Sequence, residues 1–225
     1  MTTTSAAGFG GSVPHIYHTL LEPLIFQDYA RDTVARLGLK GDERILELAC
    51  GTGIVTEKLA AALTAGGSLL ASDLNPAMLQ VARDRLAHAK GVTFQVIDGC
   101  SIPLPNSTFD AIACQYGVMF FPDKPAAMRE ARRVLRPGGR YVFTTPNRLF
   151  EVPPHEGHVA LHSYAEWEAL AREAGYAEVR TPRRRSGPLG DLAWKKSAEA
   201  RAAAGGGRLG LSHRGVRMVT IVATR

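Results

Sequence analysis

Short apolar runs alternate with helical patterns along residues 44–145 of the chain. Five runs end at small or polar residues and predict strands, which we place at 44–49, 69–73, 93–97, 109–114 and 140–145. Segments with apolar residues at three- and four-residue spacing predict helices at 54–63, 76–89 and 124–135. Strands that alternate with helices indicate an α/β protein with a parallel sheet and helices on both faces.

The pattern changes on either side of this region. Residues 15–37 have helical spacing interrupted at Pro23, which predicts two short helices. A further helix is predicted at 163–175, with Ser163 as N-cap and Glu166 as its capping-box partner. Alternating stretches at 176–181 and 216–224 predict two late strands, which brings the total to seven.

Composition limits the class of protein. The chain has 225 residues, of which 45% are hydrophobic and 21% charged, as in ordinary globular proteins. No apolar run approaches the roughly 20 residues that span a bilayer, and residues 1–11 lack the pattern of a secretion signal. Three cysteines without Cys-x-x-Cys spacing argue against a disulfide framework or a zinc site. We therefore expect a cytoplasmic protein with no membrane span and no metal.

The positive charge lies at one end of the chain. The net charge is +6, and the segment from Tyr176 onward carries eleven Lys or Arg residues against three acids. The segment is therefore +8 and the preceding residues are −2. A basic patch attracts nucleic acid, a membrane surface or an anionic substrate, or is simply a solvated, arginine-rich face.

Acidic residues lie at the ends of the first three predicted strands, where ligands bind in such sheets. Carboxylates suit hydroxyls, amines and cations. Glu47 can face an ammonium group, Asp73 two ribose hydroxyls, and Asp98 an exocyclic amine. Gly51 and Gly53 allow a ligand to approach the backbone closely.

A dinucleotide site fits these residues less well than a cationic nucleoside. Gly51 and Gly53 begin the G-x-G-x-x-G pattern, but its third glycine is replaced by Thr56. Asp73 lies 20 residues after Gly53, the spacing of a ribose-binding acid. Glu47 fits poorly beside a pyrophosphate, whereas S-adenosylmethionine joins a nucleoside to a cationic amino-acid group. A nicotinamide oxidoreductase is therefore the weaker alternative.

Four ordered motifs now identify a resemblance. They are Leu-Glu-Leu-Ala-Cys-Gly-Thr-Gly at 46–53, Ser-Asp-Leu-Asn-Pro-Ala-Met-Leu at 72–79, Asp-Gly-Cys-Ser-Ile-Pro-Leu-Pro at 98–105 with Ser-Thr-Phe-Asp at 107–110, and Arg-Val-Leu-Arg-Pro-Gly-Gly at 133–139. Together they resemble the class I S-adenosylmethionine-dependent methyltransferases, in the type 11 and quinone-biosynthesis-like group that acts on small molecules. The resemblance covers about residues 40–146. It implies a Rossmann-like, doubly wound, seven-stranded sheet that is mostly parallel with a late antiparallel strand.

The resemblance also implies how the cofactor S-adenosylmethionine, and its product S-adenosylhomocysteine, would be held. Glu47 would bind the methionine amino group, Asp73 both ribose hydroxyls, and Asp98 the adenine amine. The other expected cofactor contacts are Tyr17 on the N-terminal helix, Ala49, Gly51, Thr52, Gly53, Leu74, Met78, Gly99, Cys100 and Gln115. Cys100 replaces the acid usual at its position.

Methyl transfer is an in-line displacement in which the enzyme mainly aligns the two reactants. His155 and His158 follow the fifth strand and are candidate general bases, although surface histidines are the plainer interpretation. We expect residues 1–39 to form an N-terminal helical lid on a methyltransferase domain at 40–225. Within that domain, residues 146–215 would cover a small-molecule methyl acceptor.

We expect the chain to be a monomer or a homodimer. Two other functions remain open. The basic C-terminal segment could serve an RNA or protein methyltransferase. The position after the fourth strand reads Gln115-Tyr-Gly-Val, unlike the Asn- or Asp-Pro-Pro-aromatic motif of enzymes that methylate base amines, so nucleic acid is disfavoured. The other is a non-catalytic cofactor-binding protein.

Overall fold

The structure is a computed structural model that describes residues 26–146, 162–180 and 218–225. The strands in these ranges are β1 (Arg44–Glu47), β2 (Ser68–Asp73), β3 (Val92–Val96), β4 (Phe109–Gln115), β5 (Leu135–Pro146), β6 (Glu178–Arg180) and β7 (Met218–Thr224). The α-helices there are α1 (Gln27–Leu37), α2 (Ile54–Ala62), α3 (Pro76–Arg85), α4 (Lys124–Val134) and α5 (Tyr164–Glu173). None of the helices in the described ranges has the length and apolar character needed to cross a membrane.

The seven strands form one sheet in the order β3-β2-β1-β4-β5-β7-β6. Neighbours from β3 to β5 pair in parallel, and β7 runs antiparallel to both β5 and β6. The predicted doubly wound, mostly parallel sheet with a late antiparallel strand is confirmed. Strand order reverses between β1 and β4, and such reversals open a crevice at the carboxyl ends of the strands.

Helices cover both faces of the sheet. On one face, α1 and α2 pack on the central strands, and Ala30 and Leu59 are fully buried beside Ile45 and Ala113. We call this the α1 face. On the other face, α4 and α5 bury their own apolar stripes in a larger core that includes Trp167. Burial on both faces explains why the strands β1 and β4 read as nearly continuous apolar runs.

The described part of the predicted N-terminal lid is α1, which packs as a core helix. Ala30, Thr33 and Leu37 are buried, and the Arg140 guanidinium donates hydrogen bonds to the carbonyls of Arg36 (3.1 Å) and Leu37 (2.9 Å). These bonds satisfy carbonyls that the end of a helix leaves unpaired. The helix predicted before Pro23 and most of the 146–215 insertion lie outside the described residues.

Several predicted boundaries were wrong by two residues or more, and the structure explains three of them. The first strand ends at Glu47 rather than at 49, because Ala49 has φ 54° and cannot continue an extended strand. The helix at 76–89 ends at Arg85, where Leu86 leaves helical geometry with φ −113° and ψ 22°. The fifth strand begins at Leu135 rather than at 140, because Leu135 pairs with Phe109 ahead of a register shift. The Ser163–Glu166 capping box is confirmed, with both reciprocal hydrogen bonds present.

Candidate functional site

The three predicted acids meet at the carboxyl edge of the sheet. Glu47 is the last residue of β1, Asp73 is the last residue of β2, and Asp98 follows β3 by two residues. Parallel pairing of β1 with β2 and of β2 with β3 brings these strand ends side by side. The sequence placed the acids correctly because parallel strands separated by helices must end at the same edge.

A tight turn after β1 exposes its backbone to open space. Ala49, Gly51 and Gly53 have φ values of 54°, 56° and 88°. A Cβ atom built on Gly51 would have no atom of the described residues within 4 Å. Glycine is therefore needed at Gly51 for its positive φ rather than for a close contact, and the described residues leave space beside it for a ligand.

Asp73 joins this turn to the start of α3. Its Oδ2 accepts a hydrogen bond from the Gly51 amide and its Oδ1 accepts one from the Asn75 amide, both at 2.8 Å. Burial raises the pKa of the Asp73 carboxyl, against the opposing effect of these amides. Asn75 in turn caps α3, since its Oδ1 accepts from the amides of Ala77 (2.8 Å) and Met78 (3.4 Å). This cap was not predicted, although Asn75 followed by Pro76 at the first helical position is a typical helix start.

Glu47 is buried with an unpaired oxygen. Its exposed fraction is 2%, and its Oε2 has no hydrogen-bond partner among the described residues. Burial raises the pKa of Glu47 to about 8, and Asp73 adds to the rise, whereas the hydroxyl and amide of Thr56 oppose it. Thr56, which breaks the dinucleotide pattern, therefore lies beside this carboxyl. A buried carboxyl in this state suits a ligand that brings positive charge.

The loop at residues 98–106, which we call the 98–106 loop, lies against a phenylalanine. A Cβ atom on Gly99 would lie 2.7 Å from the Phe121 ring, so only glycine fits without displacement. Asp98 is exposed, and its Oδ1 accepts from the Cys100 amide at 2.8 Å. The Cys100 thiol donates to the Asp123 carbonyl at 3.3 Å, and burial raises the pKa of that thiol. The sequence analysis did not assign Phe121 to this loop, because nothing in local spacing brings the two together.

Two unpaired polar atoms lie on the α1 face at the ends of β4 and β5. The Gln115 side chain donates to the Phe26 carbonyl at 3.1 Å, while its Oε1 is buried with no hydrogen-bond partner among the described residues. Thr144 is the register partner of Gln115, and its buried hydroxyl also has no hydrogen-bond partner among the described residues. Thr144 was not predicted as a site residue, because a threonine within a strand is typical of β structure and carries no further signal. Both atoms can bind a polar group of a ligand.

The remaining predicted residues divide into two groups. Thr52 is buried in the glycine turn, and Met78 is buried in α3. Leu74, next to Asp73, is 51% exposed. Tyr17, His155 and His158 lie outside the described residues.

An open α/β sheet with a glycine turn at its switch point and acids at neighbouring strand ends is typical of the Rossmann-like, nucleoside-binding class of protein. Residues 46–143 match the methyltransferase domain family. The matched residues contain all four of the motifs at 46–53, 72–79, 98–110 and 133–139, and the match supports the resemblance of the chain to the class I S-adenosylmethionine-dependent methyltransferases.

Two relatives that the chain matches are named as enzymes of quinone biosynthesis. The chain is 31% identical over 128 residues to the ubiquinone/menaquinone biosynthesis C-methyltransferase of Hahella chejuensis, covering 56% of this chain and 51% of that enzyme. It is 33% identical over 167 residues to the Acidiphilium cryptum enzyme of the same name, covering 73% of this chain and 64% of that enzyme. The chain thus spans between half and two thirds of the length of these relatives.

A solved structure has the same fold. Haemonchus contortus phosphoethanolamine N-methyltransferase 2, solved in complex with S-adenosyl-L-methionine, superposes with a TM-score of 0.78 at 15% identity, over 100% of this chain and 60% of that chain. At this identity the similarity establishes the fold alone.

Proposed function

We propose that the protein is an S-adenosylmethionine-dependent methyltransferase that acts on a small-molecule acceptor. The observation that carries the proposal is the buried Glu47 carboxyl, whose Oε2 has no hydrogen-bond partner among the described residues, next to a glycine turn beside which those residues leave space. S-adenosylmethionine brings an ammonium group and a sulfonium on a nucleoside, whereas a dinucleotide would bring a pyrophosphate. The family match supports the same assignment.

Each cofactor group has a proposed partner. Glu47 binds the methionine ammonium, Asp73 the ribose hydroxyls, and Asp98 the adenine amine. The other proposed contacts are the Gly99 and Cys100 main chain at the base edge, Leu74 and Met78 at the adenine and ribose, Ala49, Thr52 and the turn glycines Gly51 and Gly53 at the methionine end, Gln115 near the transferable methyl group, and Tyr17 over the cofactor.

In the reaction, the acceptor atom forms a bond to the methyl carbon as the sulfonium–methyl bond breaks. The bonding electron pair stays on sulfur, which leaves S-adenosylhomocysteine. Alignment of the two reactants contributes up to about 7–11 kcal/mol in favourable cases. An acceptor that loses a proton would give it to a base, for which His155 and His158 are proposed.

The acceptor is proposed to lie beyond the ends of β4 and β5. The unpaired Gln115 Oε1 and Thr144 hydroxyl can hold a polar group of the acceptor there. Residues 1–39 and 146–215 would cover it and exclude water. The quinone-biosynthesis names of the relatives make an aromatic precursor the first acceptor class to assay. The three free cysteines are consistent with a protein that acts in the reducing cytoplasm. The protein is proposed to act as a monomer or a homodimer.

Two measurements test the proposal. Calorimetric titration with S-adenosylhomocysteine should show binding that Asp73→Ala weakens strongly and Asp84→Asn, a change at an exposed acid of α3, leaves unchanged. Labelled methyl from S-adenosylmethionine should then enter the low-mass fraction of a host lysate. Label confined to RNA or protein would contradict the small-molecule assignment, and absence of binding would contradict the assignment as a whole.

A further inference from the structure

Arg133, in the last turn of α4, donates several hydrogen bonds to the 98–106 loop. Its Nη2 donates to the Ile102 carbonyl at 2.6 Å. Its Nη1 donates to the Leu104 carbonyl at 2.8 Å and to the Asn106 Oδ1 at 2.7 Å. Three contacts from one planar guanidinium fix the path of the loop over these five residues.

Glu130, one turn earlier in α4, pairs with Arg133 and also binds the loop. Its Oε1 accepts from the Arg133 Nε and its Oε2 accepts from the Arg133 Nη2, both at 2.8 Å. The same Oε2 accepts from the Ile102 amide at 2.9 Å. One ion pair therefore binds both main-chain groups of Ile102. The pairing raises the pKa of Arg133 and lowers the pKa of Glu130, so both side chains are charged at neutral pH.

The residue held by this pair follows directly on the turn that carries Asp98. The Ser101 amide donates to the Asp98 carbonyl at 3.0 Å, and the two residues form an isolated β-bridge. The Asp98 Oδ1 accepts from the Cys100 amide, which orients the carboxylate. Movement at Ile102 would thus be transmitted to Asp98 within four residues.

We propose that Arg133 and Glu130 are positioning residues for base recognition: their ion pair holds Asp98 and the Gly99–Cys100 main chain in the orientation that selects adenine over other purine bases. This inference rests on the proposed function, since it takes the adenine of S-adenosylmethionine to lie against the 98–106 loop. Neither residue touches the ligand.

A merely structural role would have a different signature. Loosening the whole domain would weaken every nucleoside ligand alike, and its main effect would be on the melting temperature. Loss of positioning changes instead the ratio of the affinities for ligands with adenine and with hypoxanthine. Adenine offers an amine to Asp98, whereas hypoxanthine offers a carbonyl. Such hydrogen-bonded sites discriminate strongly only when their polar groups are correctly placed.

The experiment measures binding of S-adenosylhomocysteine and of S-inosylhomocysteine by calorimetry. The proteins are the wild type, Arg133→Lys, Glu130→Gln and the control Arg129→Lys, at an exposed arginine of the same helix. Lysine keeps the charge, but its single ammonium nitrogen cannot occupy the separate positions of the Arg133 Nε, Nη1 and Nη2. We expect Arg133→Lys to weaken S-adenosylhomocysteine about tenfold, or about 1.4 kcal/mol, with little change for the inosine analogue. The control should keep the wild-type ratio of the two affinities.

The outcomes separate the two hypotheses. A parallel loss of both ligands, or an unchanged ratio with a lower melting temperature, overturns the positioning role and leaves the proposed function intact. If the wild type binds neither ligand, the proposed function itself fails, and the inference falls with it. Circular dichroism verifies folding, and if Arg133→Lys does not fold, the ratio is determined with Glu130→Gln, whose carboxamide has nearly the same shape.

Discussion

The buried carboxyl of Glu47 couples folding to pH. Its pKa is about 8 in the folded protein, compared with 4.5 for an ordinary glutamate. Between these values the folded protein binds more protons than the unfolded chain, so the free energy of unfolding falls as pH rises. The stability that the folded protein gains by holding Glu47 in its protonated form is fully present below about pH 4.5, and it is lost as the pH rises past 8. Its size is up to about 5 kcal/mol.

Glu47→Gln should remove this pH dependence. Glutamine has nearly the same shape and no charge to bury, so the variant should become more stable than wild type as pH rises from 5 to 9. Urea denaturation across that range measures the difference. Glu57→Gln is the contrasting variant, because Lys58 and Arg85 lower the pKa of Glu57, and its loss should not stabilise at any pH in this range. Parallel wild-type and Glu47→Gln curves would refute the argument.

Cofactor binding should release a proton from the same carboxyl. At pH 7 Glu47 is mostly protonated, and the arriving ammonium favours the charged form. Titration of S-adenosylmethionine in two buffers of different ionisation enthalpy should therefore give different heats, corresponding to release of up to about one proton. Glu47→Gln should bind more weakly and show a smaller buffer dependence. Equal buffer dependence in both proteins would assign the proton to another group.

At the scale of elements, the 98–106 loop depends on its contact with the residue after the 3₁₀ turn at Val118–Phe120. Gly99→Ala should lower affinity for S-adenosylhomocysteine about tenfold, because the new methyl group would lie 2.7 Å from the Phe121 ring and push the loop outward. Replacing Phe121 by leucine in the same protein should restore part of the affinity. Calorimetry on the single and double variants measures this coupling. Additive losses would show that the two residues act independently.

The elements also show what local pattern can predict. The apolar runs of β1 and β4 and the Ser163–Glu166 capping box depend on neighbours in sequence, and they were predicted. The acids Glu47, Asp73 and Asp98 were predicted because each lies at the end of a predicted strand or directly after one. The contacts of Arg133 with the 98–106 loop join residues about 30 positions apart, and no periodicity encodes them.

The start of β5 shows the same limit. Pro137-Gly-Gly predicts a turn before the strand, yet the strand begins at Leu135. The Gly138 amide donates to the Arg225 carbonyl (2.8 Å), and the Gly139 carbonyl accepts from the Arg225 amide (3.1 Å). These partners come from the far end of the described chain, so the local sequence could not indicate that pairing continues through the glycines.

For the whole molecule, the candidate site joins the ends of the five strands β1 to β5, so a bound ligand should stabilise the entire domain. A ligand that binds only the folded state at 100 times its dissociation constant adds about 2.7 kcal/mol. In a domain of this size, each kcal/mol raises the melting temperature by about 2–4 °C, so S-adenosylhomocysteine should raise it by about 5–11 °C. Differential scanning calorimetry measures the shift, with NAD as the matched nucleotide control and Asp73→Ala as the site control. NAD should have little effect, because its pyrophosphate would lie against Glu47, and Asp73→Ala should abolish the S-adenosylhomocysteine shift. A larger shift with NAD would instead favour the dinucleotide interpretation of the glycine turn, since the two ligands share the ribose contact and differ in the charge they bring to Glu47.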